Sequence, residues 1–192
     1  MRRTTVAATI AVALLVAVCA AVLVLAQRPR PGADPAKWPV EVLAADPAVA
    51  LPYALHVTPD GCPGFSLSSP VPEDNRIVPG SGSSTVQLAP GHYALWACFG
   101  TVDETEGARR TVAHRISTPN ETLTSMNAAL VRAPFGEVVR VDGSMGGGPP
   151  RLTDWMTDHG GYTYGIGYMH PDGDASRRAV VEAMIASVVW DQ

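Results

Sequence analysis

The residues that could do chemistry are few and scattered. Gly143-Ser144-Met145-Gly146 sets a serine among glycines, as in turns that present a nucleophile. That turn requires glycine two residues before the serine, where this chain has Asp142, and Pro149-Pro150 bars the helix that should follow. The segment reads as a surface loop. Nor is it a phosphate loop, since no Gly-Lys-Ser/Thr follows. Of the five histidines, His56, His92, His114, His159 and His170, no two have the i, i+4 spacing of a helical metal pair. His159, His170, Asp158 and Asp172 could meet as a zinc or hydrolytic site if a hairpin brought its ends together. His170-Pro171-Asp172-Gly173-Asp174 is read more simply as a turn leading into a capped helix. Asp103, Glu104 and Glu106 suggest a solvated acidic loop rather than a cation site. The expectation is therefore no catalytic residue, no metal ligand and no cofactor.

Cys62 and Cys98 are the two cysteines outside the apolar N-terminal run, and an even pair in an exported domain reads as a disulfide. Two unpaired thiols are the competing reading. Closing a loop of roughly 35 residues would stabilise the fold by roughly 3–4 kcal/mol in the chain-entropy model. Of Trp38, Trp96, Trp155 and Trp190, Trp155 on a hairpin is the candidate for a partner or ligand surface, together with Tyr162 and Tyr164. Packing on a sheet face competes with that reading.

Location follows from charge and hydropathy. Val6 to Ala26 carries no charge, and as a helix it would span roughly 30 Å, the hydrocarbon thickness of a bilayer. The expectation is one N-terminal transmembrane helix over 6–26, meeting the lipid bilayer, after a cytoplasmic stretch 1–5. Cleavage near Val24-Leu25-Ala26 and acylation at Cys19 are the alternatives. Arg2 and Arg3 before the span are matched by Arg28 and Arg30 after it, and the free amino terminus tips the expectation to an inside N-terminus with the rest of the chain outside. Residues 31–192 hold 10 basic and 18 acidic residues, a net of −8. Such a domain repels phosphates, so no nucleic acid is expected as a partner.

The elements that must position these residues come next. Residues 27–39 hold four prolines and read as a stiff linker before an exported domain over 40–192. Tyr53 to Val57, Phe65 to Leu67, His92 to Phe99, Thr111 to Ile116 and Val138 to Val141 read as strands. Asp103 to Arg110 reads as a charged turn and Pro70 to Ser84 as a loop. Thr118-Pro119-Asn120-Glu121 is a capping box, predicting a helix with Leu123, Met126, Leu130 and Val131 on one face. Arg151 to Thr157 and Tyr162 to Met169 flank His159-Gly160-Gly161 as a hairpin. Asp174 caps a final helix burying Val181, Met184, Ile185 and Val188, with Arg177, Arg178 and Glu182 in water. The fold class expected is α+β, a mainly antiparallel sheet packed by two helices.

This order resembles the C-terminal half of PsbP-like domains, including the LpqN-type envelope lipoproteins of actinobacteria. The likeness lies in Thr122 to Val131, Val138 to Gly143, Tyr162 to His170 and Val180 to Trp190, with Phe65 to Pro70 matching an early strand-then-proline segment. The lipoprotein acylation motif of that group is missing from this chain. Type VII secretion-associated membrane proteins share the anchor-plus-domain layout. The resemblance implies a binding or accessory module of the cell envelope, meeting a protein partner or an apolar ligand. An exported hydrolase or metal-dependent enzyme is the reading from another class.

Overall fold

The computed structural model describes residues 32–43, 46, 48–73, 76–77, 83–118, 123–145 and 151–191. These belong to one unit, Gly32–Gln192. Its frame is an eight-stranded sheet in the order β1 (Val40–Val42), β7 (Leu123–Ala133), β8 (Gly136–Met145), β9 (Arg151–His159), β10 (Tyr162–His170), β6 (His92–Thr101), β5 (Ser83–Ala89) and β4 (Arg76–Ile77). Only the β1–β7 pair is parallel. A second sheet holds β11 (Val189–Trp190), β3 (Phe65–Ser69) and β2 (Tyr53–Val57).

The large sheet is covered on both faces. One face carries α2 (Gly107–Ser117), entered from the short α1 (Val102–Thr105). Ala108, Val112 and Ile116 recur every four residues and press on Val139, Val141 and Met156. The opposite face carries α3 (Arg178–Ala186) and the small sheet, packed on Trp96, Trp155, Tyr164, Ile166 and Tyr168. Val181, Met184, Ile185 and Val188 are buried there, as their spacing requires. Cys62 and Cys98 are bonded, with Cα atoms 6.4 Å apart, and tie the turn before β3 to the middle of the large sheet. Trp190 joins the two sheets by rings: Phe65, Phe135, His159 and Tyr164 lie 4.3–5.7 Å from it, centroid to centroid.

Several expectations are corrected. The fold is predominantly β, where an α+β class with a mainly antiparallel sheet packed by two helices was expected. The segment expected as a capped helix is β7, which with β8 forms a hairpin through Pro134-Phe135. Its sequence is rich in Thr, Ser and Asn, which favour helix weakly, and the ladder to β8 pairs its backbone along most of its length. Both faces of β7 meet covering layers, so its apolar residues do not alternate. Thr111 to Ile116, expected as a strand, and Asp103 to Arg110, expected as a turn, form α1 and α2. Thr101 and Glu104 make a reciprocal capping box on α1. Asp158 caps α2, its carboxylate accepting from Ala108 N at 2.9 and 3.0 Å. Asp174 does not cap α3, which starts at Arg178 without a side-chain cap. Residues 32–39 of the segment read as linker belong to the folded unit. Trp38 is 6% exposed, docked under α2 beside Ala33.

Among the described residues no helix is long and apolar enough to cross a membrane. The longest, α2, has eleven residues, or roughly 16 Å. The described residues therefore hold no transmembrane helix, where the expected fold class set one before the sheet. Val6 to Ala26, with its proposed contact to the bilayer, lies outside the described residues, as do Gly146 to Pro150.

Candidate functional site

The surface expected at Trp155, Tyr162 and Tyr164 is not a surface. Trp155 is 1% and Tyr164 2% exposed. Both point from adjacent strands into the layer beneath α3, where Tyr164 donates to the Pro63 carbonyl. Burial pushes the Tyr164 phenol up, so it stays a protonated donor. Tyr162 is half-buried at the hairpin end. The apolar gap lined by Trp155, Tyr164, Ile185 and Trp190 measures about 10 Å³, room for no more than a water.

The histidine cluster is not formed either. His159 opposes Tyr162 beside the hairpin turn, while His170 opposes Arg151 at the far end of the same strands. Eight residues of β10 separate the two ends, roughly 26 Å. Asp158 is engaged by α2 and by Thr163. Among the described residues no three His, Cys, Asp or Glu side chains gather as a metal site. Ser144 lies buried in β8, not at a turn apex. His92 belongs to a closed arrangement of its own. Its Nδ1 lies 2.8 Å from Tyr168 Oη, its Nε2 3.3 Å from Asp174, and Tyr168 Oη accepts from Arg177 N. Tyr168 has no exposed surface while Asp174 reaches solvent, and the group fastens the loop before α3 to the sheet.

What the sequence did not announce is a polar recess of about 310 Å³ where β8, β9 and the end of β10 meet the start of α3. That volume lies within the range of small-ligand sites. Asn127, Asp142, Arg151, Thr153, His170 and Arg178 line it. Alternation along β8 and β9 turns Arg140, Asp142 and Thr153 toward the α3 side. A ladder of ion pairs holds them. Glu41 receives two hydrogen bonds from Arg140, whose Nε also reaches Asp142 at 3.1 Å. Arg178 reaches Asp142 at 3.4 Å and Glu182 at 2.9 Å, and its guanidinium lies 5.8 Å from the Trp155 ring centre. Arg178 and Glu182, expected in water, are thus half-buried; Arg177 is exposed. The Arg140 hydrogen bonds hold the Glu41 carboxyl below its usual range. Arg151 is paired with Asp172 at 2.7 Å. His170, 7% exposed, directs Nδ1 to the Pro171 carbonyl at 2.9 Å, so Nδ1 carries the proton and Nε2 remains.

A second recess of about 420 Å³ on the α2 side contains Glu106, Arg109, Arg110, Glu137 and Asp158. Its charges answer one another: Arg109 grips Glu137 with two bonds of 2.6 Å, and Arg110 meets Glu106 at 3.3 Å. Asp142 could have been suspected from sequence only through its place beside the glycine turn. The partners that gather on it come from β8, β9 and α3, and no local spacing encodes that meeting.

No family model matches the chain and no curated protein matches it. A crystal structure from Bacteroides thetaiotaomicron VPI-5482, at 1.50 Å resolution, is similar over 67% of this chain at 14% identity and a TM-score of 0.40. The chain spans 45% of the length of that protein.

Proposed function

We propose that the domain is an extracytoplasmic binding module of the bacterial cell envelope, an accessory to a larger assembly, and that it takes a ligand in the recess beside α3. The observation that carries this reading is the recess itself, a concavity of about 310 Å³ whose side chains are pre-set by ion pairs. Pre-set polar groups bind at low ordering cost. The Cys62–Cys98 disulfide suits an oxidising compartment. A hydrolytic reading is less favoured, because Asp142 already accepts from Thr153, Arg140 and Arg178 and has little capacity left to act as a base.

The test has two arms. Thiol blocking in intact cells should leave Cys62 and Cys98 unlabelled until reduction, and protease added outside should reach the domain. Labelling of both as free thiols would place the domain inside and end the proposal. A thermal-shift screen of small polar solutes should find some that stabilise the parent chain and not Arg178→Ala. Consumption of such a solute, in place of simple stabilisation, would make the protein an enzyme instead.

A further inference from the structure

We infer that the recess selects an oxyanion, a phosphate-type group. This rests on the reading of the recess as a ligand site. Residues 31–192 carry eight more acidic than basic residues, yet the lining holds two guanidinium groups against one carboxylate. The carboxylate, Asp142, is neutralised from three sides: Thr153 Oγ1 at 2.8 Å, Arg140 Nε at 3.1 Å and Arg178 Nη1 at 3.4 Å. The guanidinium groups are less occupied. Of five N–H donors on each, among the described residues Arg151 gives one to Asp172, and Arg178 gives two, to Glu182 and Asp142. Guanidinium groups favour phosphate and carboxylate oxygens because they can donate two parallel, charge-assisted bonds.

The surroundings add to this. Ala175 and Arg178 line the recess at the start of α3, a nine-residue helix with no side-chain cap. Asn127 supplies an exposed amide across from Asp142. The α2-side recess makes the contrast. It holds two arginines with three carboxylates, and Arg109 is gripped bidentately by Glu137.

Calorimetric titration of the full chain with inorganic phosphate at constant ionic strength tests the inference. Saturable one-site binding is expected. Arg151→Ala and Arg178→Ala should each weaken it about tenfold or more, the worth of a charge-assisted hydrogen bond. Arg151→Lys should retain part of the affinity, and Arg110→Ala, in the other recess, all of it. Absence of saturable heat, or unchanged affinity in Arg151→Ala, overturns the inference. Vesicles of phosphatidylglycerol separate two sources of the group. Vesicle binding that phosphate displaces assigns it to a lipid headgroup; phosphate binding without vesicle binding assigns it to a small solute, and both outcomes uphold the inference. If neutral solutes raise the melting temperature and phosphate does not, the oxyanion inference fails while the ligand-site reading stands. If no solute of any charge does so, both fail.

Discussion

The two faces of the large sheet are covered by different means. The α2 face has one amphipathic helix and a docked Trp38, and it encloses charge: Asp154, 8% exposed by its side chain, faces Arg115 at 3.0 Å, with Arg115 4.9 Å from the centre of Phe99. Burial pushes the Asp154 carboxyl up in spite of that arginine. The α3 face has a helix, a second sheet, a disulfide and a cluster of rings around Trp190, and it keeps its charges at the rim. One cover is thin and tolerates an ionic inclusion. The other is thick, apolar and cross-linked, and its rim carries the recess. A binding site sits well on the stiffer of two layers, where side chains are held by what lies behind them.

Substitutions should separate the faces by size of effect. Removing both Cys62 and Cys98 as serines should cost roughly 3–4 kcal/mol, from the loop of about 36 residues that the bond closes, read as a drop in urea midpoint. Ile185→Ala, on the inner face of α3 at 1% exposure, should cost about 2–4 kcal/mol through the cavity it leaves. Val112→Ala, on the inner face of α2, removes one carbon fewer and should cost about 2 kcal/mol. Equal costs per carbon removed for Ile185→Ala and Val112→Ala would erase the asymmetry between the two covers. Arg178→Ala, which loses two carboxylate contacts and its cover over Trp155, should cost about 1 kcal/mol, more than Arg110→Ala.

The smallest effect is one of pH, and the faces should respond with opposite sign. Glu41 titrates below its ordinary 4.5 in the folded state, so its contribution is present above that value and is lost as acid protonates it. Asp154 titrates above its ordinary 3.8, so its contribution is present below that value and fades as pH rises through the raised one. Stability curves between about pH 3 and 8 should show Glu41→Gln flattening the acid-side loss and Asp154→Asn flattening the fall on raising pH. A parallel response of the two variants would contradict this opposition of sign.

Much of the frame could be read from residues alone. Tyr53 to Val57, His92 to Phe99 and the hairpin around His159-Gly160-Gly161 announced themselves by β-branched and aromatic runs between turn residues. The final helix showed in the spacing of Val181, Met184, Ile185 and Val188. Thr118 to Val131 misled, because a local capping signal was outweighed by pairing with β8, which lies beyond any short window. Thr111 to Ile116 misled in the opposite way. Its β-branched residues suit a strand, but Val112 and Ile116 are four apart and Asp158, some forty residues on, supplies the cap. The candidate site was hidden for the same reason. Glu41, Asp142, Arg151 and Arg178 are far apart in sequence, and only the strand order brings them to one rim.

The place of β11 has a consequence for how the chain matures. Synthesis delivers residues in order, so Cys62 and Cys98 are both available long before Val189 and Trp190. Until those two arrive, β3 has an unpaired edge and the rings of Phe65, Phe135, His159 and Tyr164 lack the indole they surround. An open edge beside exposed rings invites pairing with other chains. The interval between closing the disulfide and seating Trp190 is therefore the time at which a nascent chain most needs a chaperone. A chain ending before Val189 would remain in that condition permanently.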